Sequence, residues 1–178
     1  MRTIQEHLSS YASYHRDRRN IATHYVGIPM IVLGIFAFLG RPALALSGVT
    51  LSPALAVLVL GIAFYLRLDL RFGLAMLAVN LPAFLIGGWV AAQSTSHWLA
   101  GASGLFVAGW VIQFIGHAFE GKKPAFVDDL VGLLIGPLFL VAETAFAVGL
   151  RPELGAAIEA VAGPTHGARR ESAARATV

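Results

Sequence analysis

Two short polar islands interrupt an otherwise apolar chain, and both carry histidine. The first reads Tyr11-x-x-x-His15-x-x-x-x-Asn20-x-x-x-His24-x-x-Gly27-Ile28-Pro29, and the second Gln113-Phe114-Ile115-Gly116-His117-Ala118-Phe119-Glu120. Histidine and glutamate are costly close to a bilayer, so their place at the ends of apolar runs marks a functional site by default. Neutral imidazoles that converge in an apolar protein most often hold a transition metal. Tyr11 and His15 are four residues apart, as are Asn20 and His24, and Gln113 and His117. Side chains at that spacing share a helix face, so each histidine has a polar neighbour able to fix its ring or touch a bound ligand. His117 and Glu120 share a face as well, as in the Glu-x-x-His pairs of carboxylate-bridged metal bundles. His15 and His24 fall on opposite faces of one straight helix. The chain must turn between them if both are to meet one metal, and a break around Asp17 to Asn20 would provide it.

The residues alone leave two readings open: a metal shared by the three histidines, or three separate contacts to head groups and helix ends. Glu120 reads equally as a ligand or as an end residue paired with Lys122. Arg16, Arg18 and Arg19 read as a lipid-facing basic patch, Asp128 and Asp129 as helix-start acids, and Glu143, deep in an apolar run, as a buried polar contact.

The elements that must position these groups follow from composition. Of 178 residues, 57% are hydrophobic and 13% charged, and the mean hydropathy is +0.71, which places the chain in the membrane class. The absence of cysteine excludes disulfides, thiolate zinc sites, iron–sulfur clusters and a cysteine nucleophile. A net charge of +3 spread between apolar runs speaks for orientation in a membrane and anionic lipid, not for nucleic acid. No secretory signal pattern opens the sequence.

Apolar runs cover about Tyr25–Leu39, Pro53–Leu66, Phe72–Ala92, Trp98–Phe119 and Phe126–Leu150. They lack strand-like alternation, so the expected fold is all-α. It is an integral membrane helix bundle of four to five spans, preceded by an amphipathic helix on the membrane surface within residues 1–24. Residues 1–150 are expected to form one membrane-embedded catalytic domain. The polar segment 151–178 is expected to be a fraying helix and a flexible tail, with His166 irrelevant to the site. A break at Gly136-Pro137 would fold the last run back. Gly101, Gly104 and Gly109 permit close helix packing.

Lysine and arginine fall before the first run, after the second and after the fourth, while the Gln93–His97 segment has none. Alternating spans then put the basic ends on the cytoplasmic side, with Arg41 a lone exception. That topology gathers His15, His24 and His117 at one face, and sends His97 to the other.

At these residues the chain resembles the 2-hydroxy fatty acid dioxygenase family, the Mpo-like membrane proteins of fatty acid α-oxidation. The similarity lies in Tyr11–His15, Asn20–His24 with Gly27-Ile28-Pro29, and Trp110–His117 through Phe119-Glu120. It continues through Lys122-Lys123-Pro124-Ala125 and Asp128-Asp129-Leu130 to Pro137 and Glu143. The middle runs are similar in hydropathy only. Only Ala118 separates His117 from Phe119-Glu120, where the family often has one residue more, and a mid-chain histidine of some members has no match.

The resemblance implies a non-haem Fe(II) enzyme that uses O2 to shorten a 2-hydroxy long-chain fatty acid by one carbon. His15, His24 and His117 would hold the iron and, with Glu120, form the catalytic set. Tyr11, Asn20, Gln113 and Glu143 would support it, and Arg19, Lys122 or Lys123 would steer the substrate carboxylate. The site would face the cytoplasm from a bacterial inner membrane, in contact with membrane lipid. A membrane zinc hydrolase is the alternative enzyme, although a His-Glu-x-x-His helix is lacking. A non-enzymatic scaffold or transporter is the third reading.

Overall fold

A computed structural model describes residues 2–46 and 49–167. The described elements are helices α1 (Ile4–Ala12), α2 (Arg18–Gly40), α3 (Pro53–Leu68), α4 (Leu70–Ala91), α5 (Thr95–Glu120), α6 (Gly132–Ala147) and α7 (Pro152–Ala162). A 3-10 turn at Ala125–Val127 precedes α6. A small antiparallel hairpin, β1 (Leu44–Leu46) and β2 (Val49–Leu51), follows α2. The helical class expected from the sequence holds, with this hairpin the one departure among the described residues.

Three helices, α2, α4 and α5, are long and apolar enough to cross a membrane, or four segments if α6 and α7 form one broken span. This is fewer than five because α3 has only 16 residues. At about 1.5 Å per residue it falls short of a hydrocarbon core roughly 30 Å thick. Large apolar side chains such as Leu60, Leu85 and Trp89 point outward, the arrangement of a bundle solvated by lipid.

The chain divides into two compact units, one of Met1–Tyr25 with Ile112–Val178, the other of Val26–Val111. In the second unit α3 and α4 meet at Asp69, whose carboxylate caps α4 by accepting from the Phe72 N–H at 3.0 Å. Gly109 serves packing as expected, because a Cβ there would stand 2.8 Å from the Gly27 carbonyl oxygen; Gly101 is looser against Val90, and Gly104 has open space. Trp98 donates its indole N–H to the Ala37 carbonyl, and Arg41 lies over the Trp98 ring and bonds Thr95. His97 is exposed and hydrogen-bonded to Ser94.

In the first unit α1 opens with a reciprocal cap between Thr3 and Glu6. Leu8, Tyr11 and Ala12 form its buried stripe against α6 and α7. The amphipathic helix expected on the membrane surface is therefore confined to Ile4–Ala12, and protein covers its apolar face. The last apolar run breaks later than expected. Pro137 lies inside α6, and the chain bends by 118° between α6 and α7. The bend has a local cause: Gly149 and Arg151 take left-handed backbone at φ 80° and 53°, and Pro152 starts the new helix. The helix expected to fray at the start of the tail is α7, which buries Ile158 and packs against α1. The remainder of the expected flexible tail, from residue 168, lies outside the described residues.

Candidate metal centre

The centre is built in the first unit, where the chain turns between His15 and His24. After α1 the Tyr14 and His15 N–H groups bond back to the carbonyls of Tyr11 and Ala12, closing a tight turn over residues 13–17. The break thus falls just ahead of the expected Asp17–Asn20 stretch. Asp17 then caps α2, its carboxylate accepting from the Arg19 N–H at 2.8 Å. The turn is tied down from outside as well: the Tyr14 hydroxyl donates to Asp128 at 2.7 Å, and Lys122 donates to the Ser13 carbonyl at 2.7 Å.

His15, His24 and His117 are all buried, and each offers a ring nitrogen such that the three atoms lie within 4.8 Å of one another. His15 stacks flat on Tyr11, with centroids 4.1 Å apart and planes 6° off parallel. Its Nδ1 is 2.8 Å from the Tyr11 carbonyl oxygen, and the Nδ1 of His24 is 2.8 Å from that of Asn20. A carbonyl can only accept, so both Nδ1 atoms carry the proton. The two Nε2 atoms, 3.0 Å apart, are then both lone-pair acceptors. Facing lone pairs at that distance repel, and a shared cation turns the repulsion into ligation. Two nitrogens each about 2.1 Å from one ion at a right angle stand about 3 Å apart, so the spacing fits. The buried Nδ1 of His117 has no hydrogen-bond partner. Two imidazoles with a proton directed away from the centre, beside a third with an unpaired buried ring nitrogen, are a fitting donor set for a divalent transition metal.

Burial, then the neighbouring His24, holds the His15 imidazole well below its ordinary range, so in the folded protein it stays neutral and able to ligate. Unfolded histidine titrates near 6.5. The metal-free fold therefore keeps its full His15 contribution above that pH and loses it as the pH falls below, because only the unfolded chain gains the proton. A thermal-denaturation series on metal-free protein from pH 7.5 to about 5 is expected to show a falling Tm; a flat profile would contradict the burial of neutral His15.

Glu120 lies outside the group of ring nitrogens. Its carboxylate accepts from the Arg16 N–H at 3.0 Å, the Asp17 N–H at 2.8 Å and the Asn20 side-chain amide at 3.0 Å. It staples the 13–17 turn to the end of α5, just before Gly121 stops that helix in left-handed backbone. Glu120 positions His15 and His24 without touching them.

The other expected residues separate clearly. Tyr11 and Asn20 hold the histidines through ring stacking and backbone carbonyls. Gln113 is buried on α5 one turn before His117. Glu143 lies 3.7 Å from Arg16 and is not among the groups that gather with the histidines. The three cations expected to steer a carboxylate are engaged: Arg19 with Asp17, Lys123 with Asp128 and Lys122 with Ser13.

Sequence reasoning missed Arg16, which it placed facing lipid. Arg16 is buried, and its guanidinium donates to the carbonyls of Ala12, His15 and Gly163. It missed His166 too, whose backbone accepts from the Arg18 N–H and donates to the Arg16 carbonyl, closing the tail over the turn. Neither has a local signal, since both contacts join chain ends. Gly116 had one, its place beside His117. A Cβ there would stand 2.6 Å from Asn20 Oδ1 and collide with the Thr23 hydroxyl, so glycine alone lets α5 approach α2 at the centre. Gly116→Ala is expected to destabilise the protein by about 2 kcal/mol and weaken metal binding; a thermal melt and metal analysis check both.

A buried trio of imidazoles, one in a turn and two on helices long and apolar enough to cross a membrane, defines the chain as a membrane protein with a candidate histidine-ligated metal centre. The family model described as "2-hydroxy-palmitic acid dioxygenase Mpo1-like" matches residues 1–148, and the chain belongs to that family. The match runs through the middle spans as well as both histidine segments. The chain is also 32% identical over 160 residues to the 2-hydroxy-palmitic acid dioxygenase of Saccharomyces cerevisiae, covering 88% of this chain and 87% of the relative. No solved structure matches it.

Proposed function

We propose that the protein is an Fe(II)-dependent dioxygenase that cleaves the C1–C2 bond of a 2-hydroxy long-chain fatty acid, releasing C1 and leaving an acid one carbon shorter. The observation that carries this reading is the pair of Nε2 lone pairs held 3.0 Å apart beside His117. His15, His24 and His117 would hold the metal, and their neutral donors would leave its charge available to an anionic 2-hydroxy acid. When bound, ferrous iron supplies the redox chemistry with O2 that the side chains present cannot.

The chain's own part is orientation and exclusion. The Tyr11 and Asn20 carbonyls fix the ring tautomers, and Glu120 fixes the turn. Phe139, itself buried, closes the cluster beside Tyr11 and His15 and keeps water away. The acyl chain would lie along the apolar helices, where burial is worth about 0.8 kcal/mol per CH2. The distribution of lysine and arginine supports an orientation that turns this centre toward the cytoplasm. The zinc-hydrolase reading is weaker because Glu120, its nearest general base, is engaged by three donors.

Anaerobic reconstitution with Fe(II), followed by oxygen uptake on 2-hydroxypalmitate, tests the proposal. One iron per chain and uptake coupled to a C15 acid are expected. Stoichiometric zinc without uptake would favour hydrolysis, and absence of any stoichiometric metal would favour the scaffold.

A further inference from the structure

Gln113 lies on the face of α5 that carries Gly116 and His117, and its side chain is only 4% exposed. The register of α5 against α2 can be read at two levels: Gly116 meets Asn20 and Thr23, and Gly109 meets Gly27 and Ile31. Gln113 is one turn before His117 on α5, in the same unit as His24. Its Oε1 is buried and accepts no hydrogen bond. An amide oxygen without a donor is costly in such surroundings, and its persistence at a functional site points to a ligand that supplies the donor. The Asn20 Oδ1 is also unpaired, but it is pressed against Gly116 with no room for a ligand atom between.

We infer that Gln113 reads the 2-hydroxyl of the substrate, its Oε1 accepting the hydrogen bond of that O–H when the acid lies at the histidine cluster. The inference rests on the proposed substrate class and adds the residue that selects it. A 2-oxo acid keeps the carboxylate and the α-oxygen but has no donor, so it satisfies a metal and leaves Gln113 unpaired. An unsubstituted acid offers neither.

The test is competitive displacement of a fluorescent fatty acid from the full chain in lipid nanodiscs, loaded with iron and kept anaerobic so that only binding is read. The competitors are 2-hydroxypalmitate, 2-oxopalmitate and palmitate. The wild type is expected to bind 2-hydroxypalmitate about 10-fold more tightly than 2-oxopalmitate, the effect of one buried hydrogen bond and its loss. Gln113→Leu keeps helix propensity and volume, and Gln113→Met provides a second apolar replacement; in both the two acids are expected to bind within about 2-fold of each other. A preference that survives in either folded variant overturns the inference, as does an equal loss for all three acids, which would make Gln113 a packing residue. A wild type that binds these acids without favouring the hydroxyl sinks the inference alone. A wild type that binds none of them sinks the substrate reading, and this inference with it.

Discussion

His24→Ala is expected to remove stoichiometric iron and abolish oxygen uptake on 2-hydroxypalmitate, and His117→Ala to do the same. His24 is one half of the facing Nε2 pair, so its loss leaves His15 with one imidazole neighbour in place of two. Two nitrogens are a poor hold for ferrous iron, which sits low in the affinity order of divalent metals. Elemental analysis after anaerobic loading reads the first effect, and an oxygen electrode the second. A third readout separates ligation from folding. Iron that binds only the native wild type raises its Tm, and in the variants added iron is expected to leave Tm unchanged. Full iron content and turnover in both variants would remove these histidines from the centre.

Glu120→Ala is expected to cost far more than Glu120→Gln. The carboxylate receives two backbone N–H groups and one amide N–H from the 13–17 turn and the start of α2, and all three reach one oxygen, Oε2. A glutamine whose amide oxygen takes that place keeps them, and its NH2 meets only the Arg16 N–H at the Oε1 position. Alanine loses all three, and at about 1 kcal/mol for each lost bond roughly 2–3 kcal/mol of stability should go. Iron affinity of Glu120→Ala is expected to fall about 10- to 100-fold, as when an outer partner of a ligand is removed. A general base would behave otherwise. Glu120→Gln would then keep its Tm and lose turnover, whereas a carboxylate that only holds the turn lets glutamine keep both, so thermal denaturation beside oxygen uptake distinguishes the two roles.

The parts of this centre visible in the sequence are those written in helical periodicity. Asn20 with His24 on α2 and Gln113 with His117 on α5 are each one turn apart on a common face, and His15, just beyond the end of α1, stacks on Tyr11. The need for a turn between His15 and His24 followed from their spacing, and the chain does turn at 13–17. What spacing cannot convey is which backbone groups a carboxylate will find. Glu120 looked like a metal acid because it lies three residues after His117, yet its partners are the main chain of Arg16 and Asp17. Arg16 looked like a lipid-facing charge because it stands beside Arg18 and Arg19; its partners are backbone carbonyls nearby and the distant Gly163 and Glu143. The break in the last run was legible but misassigned. Gly149 followed by Pro152 is the stronger stop-and-start signal, and Pro137 is accommodated inside α6.

Arg16 and Glu120 are 104 positions apart in the chain, and their pairing has a consequence for biogenesis. The ribosome must release almost the whole of α5 before either this staple or the third imidazole exists. A nascent chain showing only His15 and His24 has no cage to offer, so the metal of the proposed function would be captured late in synthesis. An oxygen-sensitive ion would thereby be spared a half-built, water-exposed berth, and metal loading would become a checkpoint on finished assembly.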